Sequence, residues 1–229
     1  MPSVVGVVPV RWNSRRWPGK ALAVVEGRPL IEWAYDSLVK STSIASAYVA
    51  TDDTRIAEWA SAHDIPCLMT STRCRNGTER IAEVAQHLNA DYYVNVQADQ
   101  VGLEPETVDA LVEMILARPE VRVATVASTI EREHARGDSD TVFVEIDEFG
   151  FAKRFARGGN PVIGEATWLR HLGVYGYQHD ALVEYAAIEP TPGEQQCSLE
   201  QLRVLESGRR IGVVTTASQA RSYDRPETR

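Results

Sequence analysis

Apolar positions in the first half of the chain fall into short runs separated by amphipathic stretches. Runs rich in β-branched residues predict strands at Val4 to Val8, Ala47 to Ala50, Pro66 to Met69 and Tyr92 to Val96. Between and after them, apolar residues recur at helical spacing near Pro29 to Lys40, Asp53 to His63, Gly77 to Leu88 and Pro105 to Ala117. Such alternation predicts a parallel sheet covered by helices. The second half reads differently: "RVATVAST", "TVFVEID", "FAKRFAR" and "HLGVYGYQ" follow one another as strands with only short helices between. That pattern predicts a mixed sheet with an antiparallel excursion. In open α/β sheets ligands bind beyond the carboxyl ends of the strands, so the loops after Val8, Ala50, Met69 and Val96 are where chemistry is expected.

Composition narrows the setting. The chain has 229 residues, 44% of them hydrophobic and 24% charged, enough for one enzyme-sized core in a single domain. A net charge of -8 and a pI near 5.2 argue against a surface that coats nucleic acid, and no nucleic-acid partner is expected. Cys67, Cys74 and Cys197 form no CxxC pair and are odd in number, so neither a disulfide framework nor a zinc site is indicated and a reducing cytoplasm fits. The start of the chain lacks the pattern of a secretion signal, and no apolar run approaches ~18 residues, so neither export nor a membrane span is expected. The stretch from Ala156 to Glu165, "ARGGNPVIGE", reads as a flexible loop.

Against this acidic background the loop leaving the first strand stands out. It carries Arg11, Arg15, Arg16 and Lys20 around a Pro18-Gly19 turn. By itself a basic loop is most simply a solvated one. At the carboxyl end of a strand, however, backbone N–H groups and cations can converge on one anion, as polyphosphate sites require. Neither GxGxxG nor GxxxxGK[ST] is present, so a dinucleotide fold or P-loop is not indicated. Asp99, just past the strand "VNV", could cap a turn or hold a metal. Gly77, Glu79 and Arg80 read locally as the first turn of a helix. Alternation along "RHLGVYGY" places His171, Gly173, Tyr175 and Tyr177 on one face, where core or rim is the ordinary role. Glu200 and Gln201 are polar residues of a helix whose apolar stripe is Leu199, Leu202 and Leu205.

Several of these segments together resemble one family. "VVPVRWNSRRWPGKAL" is similar to the signature of sugar-activating nucleotidyltransferases. "VATDD", "NGTERIAEV", "VNVQAD", "RHLGVYGY" and "LEQLRVLESG" agree in order and spacing with the 3-deoxy-manno-octulosonate cytidylyltransferases. The resemblance spans essentially the whole chain. It implies a single-domain nucleotidyltransferase fold, a Rossmann-like mixed sheet flanked by helices, with a nucleotide-binding half at about residues 1–120 and an antiparallel acceptor-binding and dimer-forming half at about 121–229. It implies attack of a sugar-acid hydroxyl on the α-phosphorus of CTP, a reaction that depends on positioning and charge neutralisation.

Residue by residue, the resemblance assigns Arg11, Arg16 and Lys20 to the phosphates, with Arg11, Lys20 and Asp99 as the catalytic group. Gly77, Arg80 and Gln97 are assigned to the nucleotide, Gln97 lying between nucleotide and sugar. Arg157 would hold the acceptor carboxylate, a task suited to a bidentate guanidinium, beside His171, Tyr175, Glu200 and Gln201. Asp99 and, through "RSYDRPET", Asp224 are the implied ligands of Mg2+, whose hard oxygen donors include substrate phosphates.

The chain departs from the family pattern at Arg73, Cys74, Arg75, Ala98, Gln100 and Phe143. Added positive charge at Arg73 and Arg75 leaves a second class of acceptor open: another keto-sugar acid, a phosphorylated acid or a phosphonate. Two further functions stay open: nucleotidyl transfer from UTP, dTTP or GTP, and nucleotide binding without turnover. A homodimer is expected, with "TVFVEID" read as an apolar strand whose edge a second copy would cover. Phe143 would then lie either at that contact or in the acceptor pocket.

Overall fold

The computed structural model describes residues 2–14, 16–129, 140–158 and 168–225. Arg15 and most of the loop expected at Ala156 to Glu165 lie outside them.

Branched apolar residues at successive positions make the first strand, β1 (Val4–Val10), buried on both faces, as a central parallel strand must be. After β1 come a single 3-10 turn (Lys20–Leu22) and the short hairpin β2 (Val24–Val25) and β3 (Arg28–Pro29). The chain then alternates through α1 (Leu30–Lys40), β4 (Ser46–Thr51), α2 (Thr54–Ala62), β5 (Cys67–Met69), α3 (Gly77–Val84), β6 (Tyr92–Val96), β7 (Gln100–Val101) and α4 (Pro105–Ala117). β1 pairs in parallel with β4 and β6, and β4 with β5. Asp53 and Asn76 cap α2 and α3, each accepting a backbone N–H from the first turn.

The second half is built from β8 (Val123–Ser128), β9 (Val142–Ile146), β10 (Ala152–Arg157) and β11 (Trp168–Gln178), followed by α5 (His179–Ala187), α6 (Pro192–Cys197) and α7 (Leu202–Glu206). The chain ends in β12 (Gly212–Thr216) and β13 (Arg221–Ser222). Strands of both halves join one nine-stranded sheet. β11 is antiparallel to β6, β8 and β9, which is the predicted excursion. β12, which no sequence pattern singled out, runs parallel to β8.

The topology opens a fork. β8 follows one edge of β11 along most of its length. On the opposite edge β9 pairs only with Trp168, Leu169 and Arg170, and β6 only with Val174 to Gln178. His171, Leu172 and Gly173 lie between the two partners, and the ladder resumes there only through the Gln97 N–H, which donates to the Gly173 carbonyl at 2.9 Å. Two apolar layers cover the sheet. Leu111, Ile115, Leu172 and Val174 belong to one, and Ile81, Leu169, Tyr175, Tyr177 and Leu182 to the other.

One expectation needs correction. β9 is an interior strand, paired on one side with β10 and on the other with β11. Phe143 is buried within the single chain and does not line the cleft described below. Neither role expected of Phe143 fits: its ring fills the interior, and β9 presents no edge for a second copy.

Candidate active site

The carboxyl ends of β1 and β6 and the fork in β11 open on one cleft of about 1820 Å³. One end of it is built by the loop after β1. Gly19 takes φ of 72°, a conformation that side-chained residues rarely adopt, and a Cβ there would meet the Trp12 ring at 3.2 Å. Its N–H donates to the Trp12 carbonyl at 2.8 Å, closing the loop and turning Lys20 inward. Lys20 Nζ then lies 2.7 Å from Asp99 Oδ2 and 3.0 Å from Asp224 Oδ1. Burial by itself would lower the Lys20 pKa, but the two carboxylates outweigh it and raise it above the ordinary lysine value.

A short ladder explains how residues so distant in sequence meet. β13 runs antiparallel to β7, with Ser222 opposite Gln100 and Arg221 opposite Val101, and the Tyr223 N–H donates to the Asp99 carbonyl at 3.1 Å. Asp224 is thereby set beside Asp99. Gln100 Nε2 donates to Asp99 Oδ1 at 3.2 Å and fixes that carboxylate's orientation. Arg16 reaches across from Asp140 at 2.7 Å to Asp224 at 2.8 Å. Arg11 lines the cleft exposed and without an ion-pair partner among the described residues.

The donor set suits a hard divalent ion. Two carboxylates converge on one cation, here the Lys20 ammonium, and they provide oxygen ligands only. Among the described residues no third His, Cys, Asp or Glu joins them. Asp99 and Asp224 fit Mg2+ on that chemistry.

Gly77 opens α3 against β1, where a Cβ would meet Pro9 at 3.1 Å, so the helix start is pressed onto the strand end. Arg80 lines the cleft, but its guanidinium is buried and engaged, with NH2 3.0 Å from Asp52 and NH1 donating to Thr70. Gln97 stands between the two ends, its Nε2 3.5 Å from Glu200 Oε1.

The other end gathers residues from β10, β11 and the turn that leads into α7. Arg157 of β10 donates to the carbonyls of Asp140 and Ser198 at 3.2 and 3.1 Å, while its Nε is buried without a partner among the described residues. His171 packs edge-on to Phe155 and lies against the tilted ring of Tyr175. Burial, with Arg157 adding to it, lowers the His171 pKa to about 3, so the ring is neutral. Burial raises the Glu200 pKa to about 7, with Glu194 adding to the rise, although hydrogen bonding from Thr78 works the other way. Gln201 is buried at the start of α7 and also lines the cleft.

Arg203, which lies in the segment "LEQLRVLESG" but was expected to play no part in the site, organises this wall. It is fully buried, binds Glu194 through two hydrogen bonds of 2.7 and 2.6 Å, and reaches Glu79 at 3.0 Å. It ties α7 and α6 to the first turn of α3. Beyond that motif, the signal was an arginine beside the apolar stripe of a helix.

The substitutions near the site have local explanations. Arg73 is exposed and outside the cleft lining. Arg75 lines the cleft but is held by Glu79 at 2.8 Å and Glu189 at 3.3 Å, so little free positive charge is added. Cys74 donates to Glu83 at 3.2 Å, and burial together with that carboxylate pushes its thiol up to about 12. Ala98 packs against the core layer that contains Val94 and Val96.

Residues 5–211 match the cytidylyltransferase family. The chain is 37% identical to the 3-deoxy-manno-octulosonate cytidylyltransferase of Pelobacter propionicus, over 98% of this chain and 94% of that one. It is 39% identical to the corresponding protein of Chlamydia abortus, over 97% and 89%. A solved CMP:2-keto-3-deoxy-manno-octonic acid synthetase complexed with CTP superposes with a TM-score of 0.87 at 32% identity, covering 98% of this chain and 94% of that one. The chain therefore belongs to the cytidylyltransferase family, among the 3-deoxy-manno-octulosonate cytidylyltransferases.

Proposed function

We propose that this protein transfers CMP from CTP to the anomeric hydroxyl of 3-deoxy-manno-octulosonate and releases pyrophosphate. The observation that carries the reading is a single cleft with two chemically different ends. One end has Arg11 and Arg16 beside Asp99 and Asp224, the carboxylates that Lys20 holds together, the other has Arg157, His171, Tyr175, Glu200 and Gln201, and Gln97 lies between. The relatives named above point to the same substrates.

In this reaction an oxygen lone pair of the hydroxyl attacks the α-phosphorus, the bond from that phosphorus to the bridging oxygen breaks, and the hydroxyl proton is released. Asp99 and Asp224 would hold Mg2+, which would supply charge neutralisation on the triphosphate. Arg11 and Arg16 bind and orient the phosphates. Lys20, displaced from the two carboxylates, adds a cation to the departing pyrophosphate. Arg157, whose side chain lines the cleft, pairs its guanidinium with the acceptor carboxylate, and the Glu200 and Gln201 side chains orient the sugar hydroxyls.

Pyrophosphate release, measured with each of the four nucleoside triphosphates against this sugar acid and other acidic acceptors, tests the proposal. Turnover is expected with CTP and this acid. Faster turnover with UTP, dTTP or GTP, or with a phosphorylated acid or phosphonate, would overturn it. Because Arg75 is paired and Arg73 lies outside the cleft, the structure gives no charge argument for those acceptors. A homodimer and a cytoplasmic location belong to the same reading. The dimer rests on the family likeness and is tested by light scattering; the location is supported by three cysteines that are all free. Among the described residues no helix is long and apolar enough to cross a membrane.

A further inference from the structure

We infer that Thr125 is a positioning residue that fixes the tautomer of His171 and so makes its Nδ1 a hydrogen-bond acceptor for a hydroxyl of the bound sugar acid. The inference deepens the acceptor reading above and rests on it.

Thr125 is fully buried on β8, at the register shift where β11 slips against it between Leu172 and Tyr175. Its Oγ1 lies 2.7 Å from the Val174 carbonyl oxygen and 2.9 Å from His171 Nε2. A carbonyl can only accept, and a threonine hydroxyl has one hydrogen, so that hydrogen goes to Val174. Oγ1 must then accept from His171, which places the imidazole hydrogen on Nε2. The ring is neutral in this buried setting beside Arg157, so Nδ1 carries a bare lone pair. His171 lines the cleft, and Nδ1 has no partner among the described residues.

Around it Arg157 carries only hydrogens, the Gln97 and Gln201 amides can donate or accept, and the Glu200 carboxyl accepts in either protonation state, so His171 adds an acceptor whose sense does not change with the orientation of an amide. A sugar acid brings hydroxyls that must donate as well as accept, and a buried hydroxyl left without an acceptor costs about 1–3 kcal/mol. A fixed Nδ1 lone pair meets that need; the other tautomer would present a hydrogen to a hydroxyl that has its own. Thr125 never touches the substrate and acts only through the ring.

Nitrogen NMR of 15N-histidine-labelled protein, with His171 assigned by loss of its signals in His171→Gln, reads the tautomer without substrate. The expected wild-type spectrum shows a protonated, pyrrole-like Nε2 and an unprotonated, pyridine-like Nδ1. Thr125→Val should mix the two tautomers and raise the acceptor KM about tenfold, close to 1.4 kcal/mol, with CTP affinity and kcat changed little. Thr125→Ser, which keeps the hydroxyl, should restore both spectrum and KM. A wild-type ring protonated on Nδ1 overturns the inference even if Thr125→Val fails to fold. So does a Thr125→Ser variant with mixed tautomers, or a folded Thr125→Val variant with unchanged acceptor KM. If the acceptor is a different acid, the spectrum still stands or falls on its own.

Discussion

Lys20 is held by the two carboxylates that would otherwise repel each other, so the free protein already contains a cation where the metal is expected. Asp99→Asn keeps shape and the Gln100 contact but removes the charge. The variant should melt within a few degrees of wild type and lose roughly 10²–10³ in kcat at saturating magnesium. Steady-state rates beside a melting curve check this, and near-normal turnover would move the metal elsewhere. Glu200 gives a second test. Its folded pKa of about 7 exceeds the ordinary 4.5, so the folded chain holds a proton that the unfolded chain releases in that window. Stability from this group therefore falls as pH rises from 4.5 towards 7, and the penalty is fully present above 7. Glu200→Gln should raise Tm by roughly 5 °C at pH 8, with no gain at pH 4. A variant less stable than wild type at pH 8 would show that the ionised carboxylate is well solvated or paired.

Pairing of β13 with β7 sets Asp224 against Asp99, and a small aromatic cluster holds that ladder in place. Val25, Leu30, Val101 and Tyr223 form its core, with Trp17 and Trp33 packed around them. Trp17 belongs to the basic loop and Tyr223 precedes Asp224, so one cluster registers both carboxylate-bearing segments with Lys20. Tyr223→Ala should reduce magnesium affinity and kcat by 10–100-fold, as loss of a group that orients metal ligands commonly does, while Asp99 and Lys20 remain. Magnesium titration followed by calorimetry with CTP present checks it, and unchanged affinity would deny the cluster its role. This element was hidden in the sequence, because two-residue strands carry no periodicity and their pairing is set by contacts far apart along the chain. The parallel half was legible for the opposite reason: β1, β4 and β6 bury both faces, and α3 and α4 carry clear apolar stripes. Strand alternation along β11 also placed His171, Tyr175 and Tyr177 correctly on one face, since the His171 ring packs against Tyr175 and Tyr175 stacks with Tyr177. What alternation could not give was the fork in β11 or the interior position of β9, because a strand buried on both faces and an exposed apolar edge have the same residue pattern. Arg203 escaped for a related cause: its partners Glu79 and Glu194 come from other elements.

At the scale of the whole molecule, a chain of net charge -8 must attract a triphosphate of like sign. Much of the positive charge near the cleft is neutralised locally: Arg80 by Asp52, Arg203 by Glu194 and Glu79, Arg75 by Glu79 and Glu189. The cations left to act at longer range are few. Among the described residues Arg11 has no acidic partner, Arg157 donates only to carbonyls, and Arg170 donates to the Ser218 carbonyl at 3.4 Å. Burial, with the nearby charge of Arg221 adding to it, lowers the Arg170 pKa. These side chains line a concave cleft, where low-dielectric walls concentrate the field and oppose the acidic surface outside. Salt should weaken that attraction. Between about 0.05 and 0.5 M monovalent salt, where the screening length falls from roughly 14 to 4 Å, KM for CTP should rise several-fold with little change in kcat. Arg11→Ala should raise KM at low salt and flatten the salt dependence, because it removes the exposed cation nearest the phosphate loop. A KM independent of salt in the wild type, or a slope that Arg11→Ala leaves intact, would mean that the acidic surface dominates at the distances where CTP first meets the protein.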